Sequence, residues 1–235
     1  MNRICTICAR GGSKGVKNKN LRIILEKPLI AHSILQARES NLFNTIAVSS
    51  DSEEILNVAK KYGADIVIKR PEELASDTAA KPPVMKHCVI ETEKLTGIEY
   101  ETIVDIDATA PLRTVEDLIE SVKKLEENEH AKNLITGMNA RRSPYFNLVE
   151  ELDNGYVDLS KRLNKSFVRR QDVPKSYDMN ASIYVWKRKC FFEGPEIFTD
   201  ATLMYEMPEE RSIDIDSPLD FEFVSFLAEK RGSLL

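Results

Sequence analysis

Between Ala9 and Asn20 the chain reads ARGGSKGVKNKN, directly after the short apolar run RICTIC. One arginine, three lysines, three glycines and a serine within twelve residues are the parts of a binding loop for a large anion. Gly11, Gly12 and Gly15 let the backbone turn sharply and approach an anion, Ser13 offers a hydroxyl, and Arg10, Lys14, Lys17 and Lys19 supply charge. No Gly-Lys-Ser/Thr triplet occurs, so this is not a Walker A loop, and the G-x-G-x-x-G fingerprint of nicotinamide enzymes is missing too. A triphosphate held outside both schemes fits what remains.

Two acidic pairs share one spacing. In SIDIDSPLD, Asp214 and Asp216 are one residue apart, which on an extended segment puts both carboxylates on one face, as a hard cation with oxygen ligands requires. The same stretch has cap chemistry for a following helix, in Ser217, Pro218 and Asp220, and the two readings are compatible. Asp105-Ile106-Asp107 is a D-x-D, the spacing of a metal-diphosphate site in nucleotide-sugar glycosyltransferases, although Asp105 inside the strand TIVDIDA could equally face a helix cap or a basic partner. Cys5 and Cys8 form C-x-x-C, but on a strand a three-residue offset places them on opposite faces, so buried free thiols are expected. His32, His87 and His130 are scattered, which leaves zinc without ligands.

The elements that must position these groups follow a rhythm. RICTICA, TIAVSS, ADIVIKR, TIVDIDA and NLITGMN read as strands, and PLIAHSILQARES, SEEILNVAKKYG, PPVMKHCVIETEKL and VEDLIESVKKLEEN read as the helices between them. That alternation predicts an α/β fold with a mostly parallel central sheet, whose ligands bind beyond the carboxyl ends of the strands. ARGGSKG, SSDS, RPEELASDTAA and DATAPLR all fall at those ends. From Ala140 the rhythm breaks into an excursion over about residues 141–180, with a hairpin signal at Asp153-Asn154-Gly155 and scattered aromatics and arginines, expected to be a lid or a dimer contact. ASIYVW resumes a strand, MYEMP reads as a short one, and SPLDFEFVSFLAEKRG reads as an amphipathic closing helix.

With 235 residues, 42% of them apolar, and a net charge of −5, the chain is expected to form a single domain over 1–235. Its acidic balance excludes a non-specific nucleic-acid binder. The N-terminus has no signal-peptide pattern and no run approaches about 18 apolar residues, so no membrane association and a cytoplasmic location are expected.

Taken in order, ARGGSKGVKNKN, VSSDS, RPEELASDTA, APLRT and SIDIDSPLD resemble the bacterial cytidylyltransferases that activate sialic acid and related nonulosonic acids as CMP sugars. The resemblance spans nearly the whole chain. Within that family, CTICARGGSKGVKNKN and YDMNASIY are most similar to the branch acting on N,N′-diacetyllegionaminic acid. The resemblance implies a Rossmann-like nucleotidyltransferase fold, transfer of CMP from CTP to the anomeric hydroxyl of the sugar acid, and release of pyrophosphate. It implies that Arg10, Gly11, Gly12, Ser13, Lys14, Lys19 and Asn20 hold CTP, that Arg70 with the backbone of Ala75, Ser76 and Asp77 reads cytosine, and that Asp214 and Asp216 bind Mg2+. Arg10, Lys14, Lys19, Asp214 and Asp216 are then the catalytic set. Arg70 taken alone reads equally well as a loop arginine paired with Glu72 or Glu73.

Members that act on sialic acid generally carry glutamine at the position of Asp107 and arginine at that of Asp178, both on the sugar side. Carboxylates there point to an acceptor with substituents unlike those of sialic acid, held through hydroxyl or amide hydrogens. Arg141, Arg142, Arg169 and Arg170, with Gln171 and Asn180, are candidates for the sugar carboxylate, and the arginine pairs serve equally well at a surface or a dimer contact. The excursion with Tyr145, Phe146 and Phe167 is expected to build a homodimer, as it does in the family. Sialic-acid or pseudaminic-acid activation, and a non-catalytic CTP-binding regulator, are the alternative readings.

Overall fold

A computed structural model describes residues 1–13, 15–76, 80–163, 169, 172–194 and 196–235. In chain order the elements are β1 (Arg3–Cys8), β2 (Ile23–Ile24), β3 (Lys27–Pro28), α1 (Leu29–Glu39), β4 (Thr45–Ser50), α2 (Glu53–Lys61), β5 (Ile66–Lys69), α3 (Lys81–Thr96), β6 (Thr102–Ile106) and α4 (Val115–Glu126). After these come β7 (Asn133–Asn139), β8 (Val149–Glu151), β9 (Val157–Leu159), β10 (Tyr177–Lys187), α5 (Arg188–Glu193), β11 (Thr202–Glu206) and α6 (Pro218–Arg231).

Local chemistry sets most of the boundaries. Ser52 caps α2 by accepting from the Ile55 N–H, and Glu53 and Glu54 occupy its first turn with Lys60 and Lys61 in its last, each charge at the favourable end of the helix dipole. Thr114 with Asp117, and Ser217 with Asp220, form reciprocal capping boxes at the starts of α4 and α6. Gly97 and Gly232 end α3 and α6 in the left-handed conformation.

Seven strands form one sheet in the order β11-β7-β10-β6-β1-β4-β5. β1 pairs parallel with β4 and β6, β4 with β5, and β7 with β11, whereas β10 runs antiparallel to both β6 and β7. The sheet is therefore mostly parallel as expected, with the strand read from ASIYVW longer than its apolar core and wedged between two strands that precede it in sequence. Its register slips between Met179 and Tyr184, where Ala181 takes a positive φ of 51°.

Helices cover both faces. Cys5, Ile7, Ile46, Val48, Val104 and Ile106 point to one side, against Ile30 and Ile34 of α1, Ile55 of α2 and Leu118 and Val122 of α4. Ile4, Ala47, Ile103, Tyr184 and Trp186 point to the other, against Met85, Cys88 and Val89 of α3 and Phe191 of α5. Cys5 belongs to the first cluster and Cys8 packs on the second, so the C-x-x-C is split across the sheet and all four cysteines are free. A third cluster joins Val224 and Ala228 of α6 to Val16, Leu29, Leu112 and Ile215, which fastens the closing helix to the loop after β1. The closing helix is less amphipathic than its sequence suggests, since Leu219, Phe223 and Phe226 face outward. β8 and β9 pair with each other antiparallel, with Gly155 turning at φ 78°, and form the hairpin expected at Asp153–Gly155. Among the described residues, no helix is long and apolar enough to cross a membrane.

Candidate active site

A cleft of about 430 Å³ opens beyond the carboxyl ends of β1, β5 and β6. Arg10, Ser13, Lys19 and Asn20 line it from the first loop, Arg70 and Ser76 from the segment after β5, Asp107 from the end of β6, and Asp214 and Asp216 from the approach to α6. Groups far apart in sequence thus share one wall. Lys14 and Asp77 lie outside the described residues.

The first loop and the acidic pair are built as one unit. A side chain at Gly15 would run into the carbonyl oxygen of Asp216, so only glycine allows the two backbones to lie this close. The Lys19 ammonium donates to the Ile215 carbonyl and lies 3.4 Å from the Asp216 carboxylate. Asp214 is half-buried, and burial together with the neighbouring Asp216 pushes its carboxyl above the usual range. Two crowded carboxylates of this kind favour a bound cation. A pair of carboxylates suits an ion that takes one or two of them and completes its shell with water and phosphate oxygens, as Mg2+ does.

In the same cleft the buried Arg70 donates to the carbonyl of Ser49 at 2.9 Å and to its hydroxyl at 3.3 Å. Ala75 closes the short helical turn Glu72–Leu74 beside it. The buried Asn20 donates to the Arg10 carbonyl at 3.0 Å, and its Oδ1, buried as well, has no partner among the described residues. The backbone N–H of Gly11 donates to Asp51 at 2.8 Å, which ties the first loop to the start of α2.

Sequence reasoning missed Lys81, the first residue of α3. Its ammonium sits 2.9 Å from the Asp105 carboxylate and 3.0 Å from that of Asp107, and 4.5 Å from the centre of the Tyr184 ring. The D-x-D therefore grips a basic partner. Burial works against the ammonium's charge, but Asp105 and Asp107 hold its pKa well above the ordinary lysine value. Burial also works against the carboxylate of Asp107, yet Lys81 and the Thr109 N–H hold its pKa down at about 2. One signal was available in the sequence. A lysine in the first turn stands at the positive end of the helix dipole, an unfavourable place unless a carboxylate compensates. Beneath the cluster the fully buried Arg113 of APLR donates to the carbonyls of Asp107 at 2.7 Å and Ala110 at 2.8 Å, which fixes the loop that carries Asp107. Burial pushes its guanidinium down to about 10, partly offset by Asp107.

The other sugar-side candidates are dispersed. Asp178 is exposed on β10 and accepts the backbone N–H of Arg141 at 3.0 Å. Asn180 is buried, with its carbonyl accepting from the Thr136 hydroxyl and the Ser182 N–H and its amide donating to the Ser212 hydroxyl, so it pins the slip in β10. Arg141 and Arg142 border a second cavity of about 720 Å³ with Lys175 and Glu209. Arg169 is exposed, and Arg170, Gln171 and Phe167 lie outside the described residues. Phe146 is exposed as expected, whereas Tyr145 is half-buried with Lys161 over its ring.

A family model described as cytidylyltransferase matches residues 4–233. The chain belongs to that family. This cytidylyltransferase, a CTP-dependent nucleotidyltransferase, is 50% identical over 224 residues to the CMP-N,N′-diacetyllegionaminic acid synthase of Campylobacter jejuni, a match that covers 95% of this chain and 94% of the relative. It is 47% identical over 229 residues to post-translational flagellin modification protein B of Campylobacter coli, covering 97% and 96%. The N-acylneuraminate cytidylyltransferase of Escherichia coli O18:K1:H7 is 32% identical over 231 residues, with 97% of this chain matching 52% of that longer protein. A solved structure of CMP:2-keto-3-deoxy-manno-octonic acid synthetase complexed with CTP superposes with a TM-score of 0.70 at 14% identity, covering 98% of this chain and 100% of the other. At that identity the likeness carries the Rossmann-like fold alone.

Proposed function

We propose that this cytidylyltransferase transfers CMP from CTP to the anomeric hydroxyl of a nonulosonic acid, N,N′-diacetyllegionaminic acid, and acts as a cytoplasmic homodimer. The observation that carries the reading is the single cleft in which a basic, glycine-rich loop faces an aspartate pair, in a chain half identical to a relative named for that product. In the reaction the anomeric oxygen forms a bond to the α-phosphorus of CTP and gives up its proton to solvent, and the bond from that phosphorus to the bridging oxygen breaks, releasing pyrophosphate. The protein's part is alignment and charge neutralisation.

Arg10, Ser13, Lys19 and Asn20, which line the cleft, are assigned to CTP, the first three to its phosphates. Lys14, between Ser13 and Gly15, and Asp77, next to Ser76, belong to the same binding segments. Asp214 and Asp216 would hold Mg2+, which when bound neutralises charge on the phosphate oxygens. Lys19, already bonded to the Ile215 carbonyl, keeps the first loop aligned with that pair. Asp107, which also lines the cleft, is assigned to the acceptor sugar. The test is pyrophosphate release from CTP and Mg2+ with legionaminic, pseudaminic and sialic acids offered separately. Release fastest with N,N′-diacetyllegionaminic acid supports the reading. A preference for either other acid overturns the substrate, and no release with any overturns the activity.

A further inference from the structure

The acceptor of the proposed reaction is an anion, yet the cleft wall presents Asp107, and a bare carboxylate there would repel it. The structure supplies the compensation. Asp105 and Asp107 are both ion-paired with Lys81, and the buried Arg113, bonded to the Asp107 backbone carbonyl, adds a second positive charge near them at the end of β6. The Lys81 ammonium donates to Asp107 at 3.0 Å, lies 2.9 Å from the Asp105 carboxylate and sits over the face of Tyr184. These contacts commit the ammonium to the protein's own carboxylates. Asp107 is placed differently. Its Oδ1 accepts from the Thr109 N–H at 3.1 Å and the Thr109 hydroxyl at 3.0 Å, filling both lone-pair sites, while Oδ2 accepts from Lys81 and, among the described residues, keeps one site open.

We propose that Lys81 is a positioning and specificity-determining residue that acts through Asp107. It fixes the carboxylate's orientation and cancels its charge, so that an acidic sugar is admitted and one of its hydroxyl or amide hydrogens is bound by the open Asp107 lone pair. The inference rests on the proposed activity and adds how the acceptor subsite tolerates two like charges. Specificity follows from the same geometry. A neutral amide in place of Asp107 would need no cation, and Lys81 would then be left with Asp105 alone.

A double-mutant cycle tests it, using Lys81→Met, Asp107→Asn and the combined variant, with sugar-acid KM measured at saturating CTP and CTP Kd measured separately by calorimetry. In the wild-type background Lys81→Met is expected to raise the sugar-acid KM about tenfold or more and to leave CTP Kd within about threefold. In the Asp107→Asn background the same change is expected to cost about threefold or less, because the charge it would unmask is gone. Lys81→Arg, which keeps the charge, is expected to recover part of the lost affinity. Equal losses in both backgrounds, or a parallel loss of CTP binding, would overturn the assignment and make Lys81 a structural or nucleotide-binding group. If the wild-type protein turns over a sugar acid and the cycle shows no coupling, the Lys81 assignment alone fails. If the wild type turns over none, the activity fails and Lys81 with it.

Discussion

Gly15 shows how one absent atom joins two ends of the chain. Its backbone lies against the Asp216 carbonyl with no room for a methyl group, whereas a Cβ at Gly12, three residues earlier, would meet nothing within 4 Å. Gly15→Ala is therefore expected to cost about 1–3 kcal/mol by overpacking and to lower the thermal midpoint by several degrees without any ligand present. Gly12→Ala should leave that midpoint unmoved, and equal midpoints for the two variants would show that the loop yields freely. Asp107 gives a prediction with a defined sign. Its folded pKa of about 2 lies below its ordinary value of 3.8, so between those values the unfolded chain binds more protons. The stability it contributes is present above about pH 4 and is lost as the pH falls towards 2. With 24% of the side chain still exposed, solvent trims the effect. Urea midpoints measured along that pH range should fall less steeply for Asp107→Asn than for the wild type, and parallel curves would refute the pairing with Lys81.

Among the elements, α6 couples folding to the site. Its cap residue Ser217 follows Asp216 directly, and Asp220 accepts from the backbone N–H groups of both Ser217 and Asp216. Ser217→Ala should cost about 1 kcal/mol in chemical denaturation, the value of a lost N-cap, and should also raise the Mg2+ concentration needed for half-maximal pyrophosphate release, because the cap holds the Asp216 backbone. A stability loss with an unchanged Mg2+ requirement would separate cap from metal site. Both readings of SIDIDSPLD, as helix cap and as carboxylate pair, were legible in the sequence because both depend on local spacing. The alternation of strands and helices was legible for the same reason. The place of β10 was not, since its pattern says only that ASIYVW is extended, and its position between β6 and β7 is decided by side chains distant in sequence. Lys81 was obscured in the same way. Nothing local shows that the start of α3 lies over the end of β6, although the lysine at the wrong end of the helix dipole hinted that a carboxylate must be near.

At the scale of the whole molecule, the hairpin of β8 and β9 stands out as unfinished. It pairs with no other strand among the described residues, and each of its strands is three residues long, a size that is marginal in isolation. Phe146, Leu148, Val149, Leu152, Tyr156 and Val157 are all exposed there, Tyr156 by 73%. So much apolar surface on one short excursion favours a contact with a second copy of the chain, of the kind that in stable complexes buries roughly 800 Å² per partner. The wild-type chain is expected to sediment as a dimer at micromolar concentration, with a thermal midpoint that rises with protein concentration because only the folded form associates. Val149→Glu with Val157→Glu, which puts two carboxylates on the hairpin without touching the central sheet, should give a folded monomer whose midpoint is independent of concentration. If the proposed dimer also completes the acceptor subsite, that monomer should keep CTP binding and lose turnover. A wild-type protein that sediments as a monomer across that range would leave the hairpin without a partner in its own chain and would overturn the homodimer.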